Sequence, residues 1–104
     1  MLSADKTGTK ESLPESLKNE IINLAKKYNI NRVTLFGSRA RKTNRPRSDV
    51  DLLVDGLLID DFRDALDNET ETLLIFDVVN ENSELSEEFK SEVKKDGVIL
   101  YEKI

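Results

Sequence analysis

The chain has 104 residues, 38% of them hydrophobic and 36% charged, with a net charge of −5; this suits one soluble globular domain with a single core and a charged surface. It contains no cysteine and no histidine, which excludes disulfides, thiolate zinc sites, cysteine nucleophiles and imidazole bases. No apolar run approaches a membrane span and the N-terminal MLSADKTGTKES lacks a signal-peptide core, so a cytoplasmic location without a membrane partner is expected.

Residues 1–11 are polar and aperiodic, which predicts a flexible N-terminus ahead of one domain over 12–104. Ser12-Leu13-Pro14-Glu15 reads as a capping box, with Ser12 at N-cap and Glu15 at N3. Leu17, Ile21, Leu24, Ala25 and Tyr28 then recur at helical spacing, predicting a helix that ends near Tyr28-Asn29. Arg32 to Phe36 is a short strand bounded by Gly37. Residues 38–42 suit a helical turn, and Thr43 to Arg47 suits a loop. Ser48 to Asp55 turns apolar on both faces at Leu52-Leu53-Val54, the pattern of a central strand.

Asp60 or Asp61 can cap a short helix running through Asn68, with Phe62, Ala65 and Leu66 facing inward. Thr72 to Val79 is the strongest strand signal in the chain. Asn82 or Ser83 is expected to open a helix carrying Leu85, Phe89 and Val93, with Gly97 at its C′ position. Val98 to Tyr101 is a closing strand. The order α-β-(α)-β-α-β-α-β predicts an α+β fold, α/β-like in its alternation, with helices covering the sheet.

Four features carry chemistry. Gly37-Ser38 follows a strand and opens a turn, where glycine permits close backbone approach and serine offers a hydroxyl and free N–H groups to a phosphate. Alone it is also an ordinary strand-to-helix turn, and it is no P-loop. Asp49 and Asp51 lie two apart at a strand start, so they project from one face with Cα atoms about 7 Å apart. Such a pair can converge on divalent ions, or simply mark a solvated strand start.

Asp77 interrupts the apolar run Leu73 to Val79, where an unpaired interior carboxylate would be costly or would take up a proton. A metal, an arginine or backbone donors must then compensate. If its strand lies beside the one that Asp49 starts, Asp77 shares the face of Asp49 and Asp51. Finally, residues 39–47 hold Arg39, Arg41, Lys42, Arg45 and Arg47 with no acid among them; without them, 11 basic residues face 21 acidic ones. An acidic body with one basic segment is a poor general binder of nucleic acid, and fits a polyphosphate or an acidic protein partner better. With no imidazole or thiolate, a metal site must be built from oxygen ligands, favouring magnesium, manganese or calcium.

Gly37-Ser38, ten intervening residues, Asp49-Val50-Asp51 and a later strand aspartate, in the local text GSRAR…SDVDLLV, resemble the minimal nucleotidyltransferases of the DNA polymerase beta-like superfamily. The resemblance covers roughly residues 14–101. It implies the nucleotidyltransferase fold, a mixed sheet of about four strands flanked by helices. It implies that Gly37 and Ser38 hold the nucleotide's β- and γ-phosphates, where at least one of Arg39 and Arg41, which directly follow the serine, can reach a phosphate oxygen, and that Asp49, Asp51 and Asp77 are the catalytic and metal-binding residues for two Mg2+ ions, or Mn2+. ATP would be the nucleotide donor. The implied partner is a helical HEPN-domain toxin in a homo- or hetero-oligomer, with AMP transferred to a tyrosine hydroxyl, and no direct nucleic-acid binding. A non-catalytic antitoxin acting by contact, or transfer to a small molecule, are the alternatives. Many relatives carry glycine where this chain has Lys42.

Overall fold

The helices and strands of this chain pair off around one sheet in the computed structural model, which describes residues 12–104. Four helices alternate with four strands: α1 (Glu15–Lys27), β1 (Arg32–Phe36), α2 (Gly37–Arg41), β2 (Val50–Asp55), α3 (Ile59–Glu69), β3 (Phe76–Asn80), α4 (Glu87–Asp96) and β4 (Val98–Glu102). The strand order is β3-β2-β1-β4. β1 runs antiparallel to both β2 and β4, whereas β2 and β3 are parallel. A parallel pair needs a crossover, and α3 supplies it. This is the mixed four-stranded sheet flanked by helices expected from the sequence. The expected flexible segment 1–11 lies outside the described residues.

The core lies on one face of the sheet. Leu17, Ile21, Leu24 and Ala25 of α1 and Ile59, Phe62, Ala65 and Leu66 of α3 pack with Val33, Leu35, Val50, Leu52 and Val54, all buried. Alternation along β2 sends Val50, Leu52 and Val54 to this face and Asp51 and Leu53 to the other. The stop of α1 is a Schellman turn: Ile30 N–H donates to Ala25 O (2.8 Å), Asn29 N–H donates to Lys26 O (3.2 Å), and Asn29 sits at φ 55°.

Several local expectations are corrected. α1 opens after Pro14 with no side-chain cap, not at a Ser12 capping box. The Ser12 carbonyl, two residues before the helix-capping Pro14, accepts from Arg39 Nη1. α3 opens after Leu58, leaving Asp60 and Asp61 inside its first turn, where they favour the positive end of the helix dipole. α4 opens at Ser86, whose hydroxyl accepts from Phe89 N–H at 3.0 Å. Asn82 and Ser83 instead close a turn onto Asn80. Gly97 is the C-cap of α4, at φ −63° rather than left-handed.

The strand predicted over Thr72–Val79 pairs only from Phe76, so Leu73 is fully exposed and Ile75 largely so. β3 is therefore an edge strand, and Asp77 is exposed rather than interior. Among the described residues no helix is long and apolar enough to cross a membrane.

Candidate active site

The second face of the sheet carries the acidic residues. β1 ends at Phe36, and the chain turns into α2 through Gly37 at φ +77°. A Cβ at Gly37 would collide with Oδ2 of Asp51, so glycine is required both by the backbone angle and by the carboxylate lying against it. Phe36 and Asp51 are register partners across β1 and β2, which explains that proximity. On the other side of β2, Asp51 stands directly opposite Asp77 in the parallel ladder. Residues opposite in register project from the same face, so the two carboxylates are neighbours. The expectation that Asp77 shares the face of Asp51 follows from the topology, although Asp77 is not buried. Asp49, immediately before β2, is exposed two residues ahead of Asp51.

Asp51 is half-buried, and its carboxyl is pushed above its usual range first by burial, then by the negative charges of Asp77 and Asp49. Arg41 and Arg39 pull it back down. Desolvation and like charge thus act together on one group, the pattern that marks candidate functional sites. Among the described residues, no three acidic side chains are drawn together as a preformed metal cage. The donor set is nevertheless suited to a hard divalent cation. Its ligands are all carboxylates, and the electrostatic penalty on Asp51 is of the sign a cation would remove.

The basic run divides into two parts. Arg41 is exposed at the end of α2 and lines a cleft with Phe36, Gly37, Phe89, Glu92 and Asp96. Arg39 is 2% exposed and does something else. Its guanidinium donates to Ser48 O from Nε (3.1 Å) and Nη2 (2.9 Å), to Pro46 O (3.0 Å) and to Ser12 O (2.6 Å). The expectation that Arg39 faces the nucleotide is therefore corrected: in this structure its donors hold the 44–48 loop. Nothing in a basic run of five distinguishes the one that folds inward.

Ser38 is half-buried in α2, and its carbonyl accepts from Thr43 N–H (2.9 Å), closing the turn over Lys42. Lys42 occupies φ 63°, ψ 32°, the left-handed conformation that glycine adopts most cheaply. The lysine holds this conformation at a backbone cost. α4 covers the outer part of this face through an edge-to-face contact between Phe36 and Phe89, with centroids 5.0 Å apart. It also brings Glu92 and Asp96 to the cleft beside Gly37, a contribution not singled out from the sequence. Their i, i+4 spacing on a helix is the signal that could have found them.

Residues 19–104 match the family described as "Polymerase beta, Nucleotidyltransferase". The chain belongs to that nucleotidyltransferase family. Two solved structures share the fold. One, a toxin-antitoxin with AMP-PNP, is 23% identical over 83% of this chain and 73% of its own, with a TM-score of 0.64. The other, a mutant of the toxin-antitoxin MntA-HpeT, is 22% identical over the same shares, with a TM-score of 0.61. No curated protein matches the chain. In this nucleotidyltransferase domain the glycine turn, the Asp49-x-Asp51 strand and Asp77 all meet at one end of the sheet.

Proposed function

We propose that this domain transfers AMP from ATP to a hydroxyl, a tyrosine being the expected acceptor, of a helical HEPN-type partner, and that it acts as the antitoxin of a toxin–antitoxin pair. The observation that carries the reading is the Asp51–Asp77 register pair set against Gly37, which gathers carboxylates beside a turn that only glycine fits. Family membership supports nucleotidyl transfer. The likeness to a toxin-antitoxin structure with AMP-PNP supports an adenine nucleotide and a toxin partner. The MntA-HpeT mutant carries glutamates in place of two aspartates two positions apart, the spacing of Asp49 and Asp51.

Asp49, Asp51 and Asp77 would hold magnesium, which supplies charge neutralisation at the triphosphate and at the leaving pyrophosphate. Gly37 and Ser38 provide the close backbone approach for phosphate, and Arg41 the exposed guanidinium. Asp77, exposed at the sheet edge, would take the proton of an incoming hydroxyl. An acceptor brought by a partner also suits the open edge of β3, where Leu73 and Ile75 precede Asp77 on alternate positions and stay exposed.

The test is label transfer from α-labelled ATP to the product of the adjacent reading frame, with magnesium. Wild type should label the partner, while Asp49→Asn and Asp77→Asn should bind it without labelling. Normal labelling by either variant would remove the catalytic assignment. Complex formation with no labelling by wild type would favour an antitoxin that works by contact alone.

A further inference from the structure

We propose that Arg39 is a positioning residue that sets the backbone of Asp49, and so the affinity of the carboxylate cluster for a divalent cation. This rests on the metal-site reading above. The Ser48 carbonyl and the Asp49 N–H belong to one planar peptide unit. Two guanidinium nitrogens of Arg39 grip that carbonyl, at 3.1 and 2.9 Å, and a third hydrogen bond from the same side chain fixes Pro46 O two residues earlier. The rigid fork of the guanidinium thereby locks the orientation of the peptide that delivers Asp49.

The other end of the lever is equally fixed. Arg39 belongs to α2, which starts at Gly37, and Gly37 lies against the Asp51 carboxylate. One side chain therefore ties the turn beside Asp51 to the loop end that carries Asp49. Within the loop Arg45, Pro46 and Arg47 are exposed while Asn44 is buried, and Asn44 Nδ2 donates to Arg45 O (3.2 Å), Ser48 N–H to Arg45 O (3.1 Å) and Arg45 N–H to Ser48 Oγ (2.9 Å). A buried guanidinium that donates to carbonyl oxygens from Nε, Nη1 and Nη2 is an expensive way to close a surface loop. It is explained if the position of the following aspartate matters.

The test uses Mn2+ binding to the full chain without nucleotide, read by the loss of the free-ion paramagnetic resonance signal. Arg39→Met replaces the buried charge with an apolar chain of similar length, a change that buried ionic sites often tolerate. Arg39→Lys keeps the charge but not the fork. Both should weaken Mn2+ binding by roughly 10–100-fold, the usual effect of removing a group that orients a ligand. Arg32→Met is the control for general destabilisation, because Arg32 pairs with Glu81 and Glu102 away from the carboxylates. It should lower the melting temperature and leave Mn2+ affinity unchanged.

Wild-type affinity in a folded Arg39→Met or Arg39→Lys overturns the assignment, as does an equal loss of affinity in Arg32→Met. If Arg39→Met does not fold, Arg39→Lys decides. If neither folds, amide exchange in the wild type decides instead, and a Ser48 amide, which donates to Arg45 O, as labile as that of Arg47 overturns the proposal. Failure of the underlying metal-site reading looks different: wild type itself would bind no Mn2+, or Asp49→Asn would bind it unchanged.

Discussion

The two faces of this sheet are built to opposite specifications. The face under α1 and α3 is sealed, with Val33, Val50, Leu52, Val54 and Phe62 fully buried. The face under α4 is left open: α4 has no buried residue, Ile99 of β4 is 55% exposed, and Asp51 and Asp77 occupy positions that hydrophobes would fill in a closed sandwich. One face holds the domain together, and the other carries the proposed site, where burial and like charge act against the Asp51 carboxylate. The difference shows how a small domain can afford a cluster of like charges: it confines them to the surface that contributes least to folding.

Matched aromatic truncations test that division most severely. Phe62→Ala should cost about 3–5 kcal/mol, a large share of a small domain's stability of roughly 5–15 kcal/mol. Phe89→Ala, on the half-buried ring of α4 packed edge-on against Phe36, should cost nearer ~1 kcal/mol. Chemical denaturation midpoints compare them directly, and equal losses would break the two-face picture.

Gly37→Ala comes next. It forces an L-residue to φ +77° and drives a methyl group into the Asp51 carboxylate. The backbone strain alone should cost about 1–2 kcal/mol, and Mn2+ affinity should fall with the melting temperature. A variant that melts lower yet binds Mn2+ normally would separate the turn from the carboxylates.

The third prediction reverses the usual sign. The folded-state pKa of Asp51 is raised by burial and by Asp77 and Asp49. Its contribution to stability is therefore fully present below its unfolded-state pKa and is lost as pH rises through the folded-state value. At pH 7 without divalent ions the ionised carboxylate is a net burden, and Asp51→Asn should raise the melting temperature, by roughly 4–8 °C per kcal/mol relieved. The gain should shrink as pH falls through the carboxylate range. It should also narrow when Mn2+ stabilises wild type but not the variant. A lower melting temperature for Asp51→Asn at pH 7 would mean that this face contributes to folding as the other does.

How much of this was legible in the sequence differs between the faces in the same way. β1, β2 and the apolar stripes of α1 and α3 could be read because periodicity reports burial, and those residues are buried. Gly37, Asp49 and Asp51 could be read because their spacing is local. Asp77 was found by a premise that failed: it was expected inside an apolar strand, but β3 is an edge and the carboxylate is exposed. Its place opposite Asp51 depends on the parallel pairing of β2 with β3, which no local pattern contains. A non-local cause also explains Arg39. A basic run reads as solvated until one member folds under the loop, where its donors meet backbone carbonyls far from it in local pattern.

The smallest effect concerns the residue at the border of the two faces. Lys42 ends α2 at φ 63°, with Thr43 N–H reaching back to Ser38 O, the bond pattern of a turn that usually holds glycine. Lys42→Gly removes the left-handed strain, about 1 kcal/mol, but adds freedom to the unfolded chain, so the net gain should be at most ~1 kcal/mol. Backbone geometry alone would therefore favour glycine, and what glycine would lack is the exposed side chain that follows Arg41 in the chain, whose ammonium could meet a phosphate under the proposed function. If that is its role, Lys42→Gly should be slightly more stable in denaturant and should bind a non-hydrolysable ATP analogue more weakly at low salt, with the difference fading as salt screens the charge. Stability that rises with affinity unchanged would leave Lys42 as a tolerated strain on the sealed scaffold's side of the border, with no part in the chemistry of the open face.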